Sequence, residues 1–135
     1  AQVVDALALD DRSEEMYDRV LVDAPCSGLG VIRKKPDIKI DKEYDDFEKL
    51  KSIQKRILKN ASKYLKENGV LVYSTCTINR EENQDIIDDF LKYNDNFYLC
   101  DLSNELGIGK TRTLNLYPNI HRVDGFFIAK LKKLK

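Results

Sequence analysis

Cys26 and Cys76 are the residues of this chain best suited to do chemistry. Each follows a short apolar run with β-branched residues, Arg19-Val20-Leu21-Val22-Asp23-Ala24-Pro25 before the first and Gly69-Val70-Leu71-Val72-Tyr73-Ser74-Thr75 before the second. A thiolate is a strong nucleophile, and the carboxyl ends of strands in an open α/β sheet are where ligands and reacting groups collect. Two thiols delivered there from separate strands can share one site. Asp23, just upstream of Cys26, adds a carboxyl group able to exchange a proton. Cys26 sits in a Pro-Cys-Ser-Gly turn, where Pro25 fixes the chain direction and Gly28 permits a tight return. Cys76 is flanked by Ser74, Thr75 and Thr77 and precedes a helix start, whose partial positive charge favours a thiolate. Spacing alone does not choose between them as nucleophile.

The other candidates read more plainly. Cys100 ends the apolar run from Phe97 and has no chemical neighbours, so it reads as a small buried hydrophobe. His121 is the only histidine; with Asp124 or Asn119 it would make a cysteine hydrolase, and with the three cysteines a metal site. A lone histidine in a polar loop usually faces solvent, and none of the four has the paired spacing of structural zinc ligands, so no metal is expected. Lysine plus arginine (23) balance aspartate plus glutamate (23), which removes any strong overall attraction to nucleic acid or membrane. Any basic patch must be local. Three widely spaced cysteines argue against a disulfide scaffold and for a reducing, cytoplasmic setting. No apolar run approaches the ~20 residues of a membrane span.

The positioning elements follow from the periodicity. Val20 to Val22 reads as a strand covered on both faces. From Asp41 to Lys66, Tyr44, Phe47, Leu50, Ile57, Leu58, Ala61, Tyr64 and Leu65 keep helical spacing, and Asn68-Gly69 supplies the stop. Val70 to Ser74 then forms a second buried strand, making a parallel crossover. Asn79 and Glu82 have the spacing of a capping box for a helix that buries Ile86, Ile87, Phe90 and Leu91. Phe97 to Cys100 and Gly125 to Leu131 read as closing strands, joined by a polar loop holding Asn104 to His121. The class is α/β, in one domain.

Two stretches carry a family resemblance. Asp23-Ala24-Pro25-Cys26-Ser27-Gly28-Leu29-Gly30-Val31-Ile32-Arg33-Lys34-Lys35-Pro36-Asp37 and Tyr73-Ser74-Thr75-Cys76-Thr77-Ile78-Asn79-Arg80-Glu81-Glu82-Asn83 closely resemble signature motifs of the RNA 5-methylcytosine methyltransferases of the Sun/Nop type. His121 to Leu131, with Asp124-Gly125-Phe126-Phe127, is similar to that family's carboxyl-terminal strand, and the bacterial enzymes acting on small-subunit ribosomal RNA are the nearest match. The resemblance implies a Rossmann-like fold dependent on S-adenosylmethionine, with a mainly parallel sheet, an antiparallel last strand between its neighbours, and helices on both faces. It implies methyl transfer to carbon 5 of a cytosine through a covalent cysteine adduct at carbon 6. Cys76 is then the nucleophile and Cys26 assists release. Asp23 would face the base close to the cofactor, and Asp5 would contact the cofactor's adenine end. Arg33, Lys34, Lys35 and Lys39 would meet phosphates of ribosomal RNA. The full-length protein is expected to be monomeric.

Residues 1–135 would be the carboxyl-terminal part of that catalytic domain. The first strands, the glycine-rich cofactor turn, a ribose-binding acid and a motif-borne lysine are all expected outside the chain. The chain alone is then expected to be inactive, residues 2–7 to lie displaced without a strand partner, and Val20 to Val22 to form an exposed sheet edge. A different class of function is a non-catalytic RNA-binding or assembly module using the basic cluster and Lys130, Lys132, Lys133 and Lys135.

Overall fold

Apolar residues returning every three or four positions produce helix α1 (Tyr44–Lys63), which buries Leu58 and Ala61 along one side. A computed structural model describes this helix together with the rest of residues 2–39, 44–103, 107 and 109–135. Helix α1 joins β1 (Tyr17–Asp23) to β2 (Leu65–Thr75), which pair in parallel with Val20 opposite Leu71 and Asp23 opposite Ser74. Helix α2 (Gln84–Tyr93) buries Ile86, Ile87 and Phe90 and leads into β3 (Phe97–Leu99). After β4 (Thr113–Leu116) and the short helix α3 (Pro118–His121), β5 (Phe126–Lys133) runs antiparallel between β2 and β3. The sheet order is β1-β2-β5-β3, with β4 also paired to β5. Among the described strands only β5 is reversed, so the expected mainly parallel sheet with an antiparallel last strand is present.

One core lies between the helices and one sheet face. Leu58 of α1 and Ile86 and Ile87 of α2 pack with Leu71, Tyr73, Phe127 and Leu131, all with almost no exposed surface. Each such side chain withdrawn from water contributes about 1.5–3 kcal/mol. Tyr73 meets Phe127 edge-on at 6.3 Å, and Phe90 meets Phe97 at 5.2 Å, the arrangement that ring quadrupoles favour. Among the described residues no helix is long and apolar enough to cross a membrane.

Three expectations change. Burial alternates strictly along β5, and Leu21 on β1 is 70% exposed. Both long helices therefore cover the same face, and helices on both faces are not found among the described residues. Helix α1 ends at Lys63, ahead of Asn68-Gly69, because Leu65 already enters the sheet fully buried. Asn68, at φ 60°, instead turns the bulge across which the β1 partner shifts from Leu65 to Val70. The loop after β3 holds β4 and α3, whose Leu114 and Leu116 pair opposite Ile128 and Phe126; residues 104–106 and 108 of that loop lie outside the described residues, as do 41–43 before α1. Residues 2–7 form no strand. They lie against α1, where Asn60 Nδ2 donates to Ala6 O at 3.0 Å, and β1 is left as the sheet edge, both as expected.

Candidate functional site

Parallel pairing of β1 with β2 brings their carboxyl ends side by side. Ala24 N donates to Ser74 O at 2.9 Å, which extends the pairing one residue past Asp23. Pro25 then turns the chain, and Gly28 takes a left-handed φ of 73° that suits glycine. The result is contact between the two thiols: Cys26 Sγ and Cys76 Sγ stand 3.4 Å apart, both half-buried and unbridged. Burial, then the hydrogen bond to Cys76, pushes the Cys26 thiol up to about 12, against the opposing pull of the Gly28 backbone. Cys26 is therefore a neutral thiol near neutral pH, facing the sulfur of Cys76.

Asp23 lies beside this pair, with Oδ1 accepting from Ser74 Oγ at 3.0 Å. The basic stretch is tied to the same place. Gly30 N donates to Cys76 O at 3.0 Å, and Gly125 N donates to Gly30 O at 2.8 Å. Just beyond, Arg33 (3.3 Å) and Lys34 (2.5 Å) both reach Asp124, while keeping about two thirds of their side-chain surface in solvent. Hydrogen bonds from Lys34 and then Arg33 hold the Asp124 carboxyl below its usual range. Lys35 is exposed next to them.

The other candidates make their own contacts. Asp5 caps its own turn, accepting from Leu7 N at 2.9 Å. Exposed His121 accepts on Nδ1 from Tyr117 N at 2.9 Å and stacks on the Tyr117 ring, so it is no base for either thiol. Half-buried Cys100 extends β3, its N–H donating to Lys130 O at 2.8 Å. Among the described residues no group of three or more His, Cys, Asp or Glu side chains could hold a metal ion.

The sequence reading missed a buried polar knot beneath the thiols. Glu82, expected to cap backbone at Asn79, instead turns its carboxylate inward. Oε1 accepts from Ser27 N (2.8 Å) and Gln54 Nε2 (3.0 Å), and Oε2 from Ser27 Oγ (2.5 Å) and Asn79 Nδ2 (3.2 Å). Asn79 N is satisfied by Thr77 Oγ1, and Asn79 Oδ1 caps the short 3-10 turn Arg80–Glu82, so α2 starts only at Gln84. The spacing of Asn79 and Glu82 was the available signal, but a capping box and this inward knot share it.

A cleft of about 320 Å³ runs along the β1 edge, and Ala6, Val20, Leu21, Val22, Asp23 and Pro25 are among the residues that line it. An apolar wall ending in a carboxylate fits one side of an adenosine-bearing cofactor.

Known proteins are similar to this chain in sequence and fold. The model of the family described as 16S rRNA methyltransferase RsmB/F matches residues 2–132. The chain is 43% identical, over 98% of its length, to the probable ribosomal RNA small subunit methyltransferase B of Bacillus subtilis, of which it covers 31%. It is 40% identical, over 87% of its length, to the 25S rRNA (cytosine-C(5))-methyltransferase nop2 of Schizosaccharomyces pombe, covering 22% of that protein. Among solved structures it is similar to PH0851, with a TM-score of 0.81 and 36% identity over 89% of this chain and 27% of that one. NSun6 from Pyrococcus horikoshii, solved with SFG, gives a TM-score of 0.70 and 34% identity over 85% of this chain and 29% of that one. The chain spans less than a third of the length of these relatives. With its motif cysteines in contact at the ends of two parallel strands and its match running from residue 2 to 132, the chain belongs to the 16S rRNA methyltransferase RsmB/F family.

Proposed function

We propose that the longer protein containing this chain methylates carbon 5 of a cytosine in ribosomal RNA. The observation that carries this reading is the pair of thiols 3.4 Å apart beside Asp23. Relatives named as ribosomal RNA methyltransferases, one of them cytosine-C(5), support the substrate. The NSun6 structure with SFG, an analogue of S-adenosylmethionine, supports the cofactor. Asp23 and the apolar cleft beside it would form one wall of that cofactor's site, and S-adenosylmethionine, when bound, supplies an electrophilic methyl group. Ala6, the residue after Asp5, lines the same cleft. Residues 1–135 are the carboxyl-terminal part of the catalytic domain, and β1 is where the preceding strands would pair.

Carbon 5 of cytosine is a weak nucleophile. Addition of the Cys76 thiolate to carbon 6 forms an S–C bond and pushes electron density onto carbon 5, which then takes the methyl group. Asp23 holds the base edge through the ring nitrogen and exocyclic amine, favouring that addition. Loss of the carbon 5 proton then expels Cys76 as thiolate and restores the ring. Cys26 serves this release as a thiol that hydrogen-bonds the departing Cys76 sulfur, while the carbon 5 proton passes to water; it does not attack, since only the thiolate is nucleophilic. Arg33, Lys34 and Lys35, beside the same turn, position RNA phosphates.

The test compares Cys26→Ala with Cys76→Ala in the full-length protein, with its RNA and S-adenosylmethionine, on a denaturing gel. Covalent enzyme–RNA adduct is expected to accumulate in Cys26→Ala and to be absent in Cys76→Ala. The reverse pattern exchanges the two roles. Methylation that survives both substitutions without any adduct makes the cysteines structural and overturns the reading.

A further inference from the structure

Glu82 has no exposed surface. A carboxylate withdrawn from water is costly unless donors replace its hydration, and the donors here come from three separate segments. Ser27, which follows Cys26, gives its N–H and its hydroxyl; Thr77, which follows Cys76, bonds the same Ser27 hydroxyl at 2.8 Å; Asn79 gives its amide. Gln54 of α1 completes the knot. Its Nε2 donates to Glu82 Oε1 and also to Pro25 O (2.9 Å), the residue before Cys26. Gln54 Oε1 is the one buried side-chain N or O atom without a partner among the described residues. Turning that amide over would set its oxygen against two acceptors, so Pro25 and Glu82 together fix its orientation.

We propose that Glu82 is a positioning residue that sets the separation of the two thiols. Its carboxylate grips the residue after Cys26 and, through Ser27 and Thr77, the residue after Cys76. With Gln54 it pins the backbone on both sides of Cys26. Its consequence for turnover rests on the methyltransferase reading above, whereas its consequence for thiol geometry does not. A hydrogen bond between the sulfurs needs them in contact, and a misplacement of about 1 Å can cost on the order of a hundredfold in rate. Buried beneath the turns, Glu82 has no surface to offer RNA or cofactor.

The test uses phenylarsine oxide, which captures two close thiols. Two As–S bonds form, and the oxide oxygen leaves as water with both thiol protons. In the 135-residue chain carrying Cys100→Ser, mass spectrometry reads the captured fraction against a competing dithiol. Glu82→Gln replaces an acceptor with a donor facing Asn79 and Ser27. Its capture is expected to weaken about tenfold as the effective concentration of one thiol at the other falls. Cys26→Ala is the control that cannot be bridged. In the full-length protein the same variant should lose at least about tenfold in kcat with KM for RNA and cofactor unchanged. Wild-type capture together with wild-type kcat overturns the proposal. If Glu82→Gln fails to fold, Ser27→Ala removes the hydroxyl link and keeps the carboxylate; weakened capture again supports positioning, and unchanged capture overturns it. Weakened capture alongside a wild-type full-length protein that methylates no cytosine leaves the positioning standing and overturns the methyltransferase reading.

Discussion

The Cys26 thiol carries a strong electrostatic signature. Its neutral form is favoured by burial and by Cys76, and its folded-state pKa rises from 9.0 to about 12. Between those values the folded chain keeps a proton that the unfolded chain releases, so rising pH favours unfolding. The stabilisation is full below pH 9.0 and is lost as pH climbs toward about 12. Wild-type chain should therefore lose more stability than Cys26→Ala when urea midpoints are compared at about pH 8 and about pH 10.5. Lysine titrations are common to both proteins and cancel in the difference, and Tyr73, raised first by burial and then by Cys26, stays protonated in the folded chain over this range. Equal losses would mean that Cys26 is not held neutral. The pairing of Cys26 with Cys76 was legible in the sequence because two similar strand ends each closed on a cysteine. The shift was not, since it depends on how deeply a turn is packed.

At the level of elements, the β1–α1–β2 crossover could be read from apolar periodicity alone, whereas the reversal of the last strand followed only from the family resemblance. The knot around Glu82 could not, because Ser27, Gln54 and Glu82 are distant in sequence and polar residues carry no period. The loop after β3 hid β4 for a related reason: Leu114 and Leu116 are only two apolar positions, too few to register as a strand without β5 beside them. Close packing of two glycines is a further feature set by the fold. A Cβ on Gly30 would stand 2.2 Å from Gly125 O and 2.7 Å from Cys76 O, both rigid backbone. Gly30→Ala is expected to cost about 1–3 kcal/mol and to spread the Cys26 turn from the Cys76 turn. Gly109→Ala, where a Cβ meets nothing within 4 Å, should stay within about 0.5 kcal/mol. Thermal melts of the two variants check this, and equal melting temperatures would contradict the packing.

Over the whole molecule, charge gives little direction and exposed apolar surface gives more. The run from Val20 to Val22 looked covered on both faces, since an apolar run records what burial a strand tolerates and not what lies against it here. Val22 is buried under α1, whereas Leu21 is 70% exposed on the face that neither long helix covers. Residues 2–10 pass near this edge without pairing to it; Asp10 N donates to Tyr64 OH at 3.0 Å instead. The outer edge of β1 therefore offers backbone donors and acceptors next to apolar side chains, the combination that recruits another strand. The 135-residue chain is expected to self-associate as its concentration rises through the micromolar range, read by sedimentation velocity. Leu21→Lys places a charge on the open face and should shift the distribution toward monomer, with the fold unchanged by circular dichroism. The longer protein, in which we propose that preceding strands cover β1, should stay monomeric at the same concentrations. A chain that remains monomeric throughout would show that residues 2–10 already shield the edge, and Leu21→Lys would then have nothing to relieve.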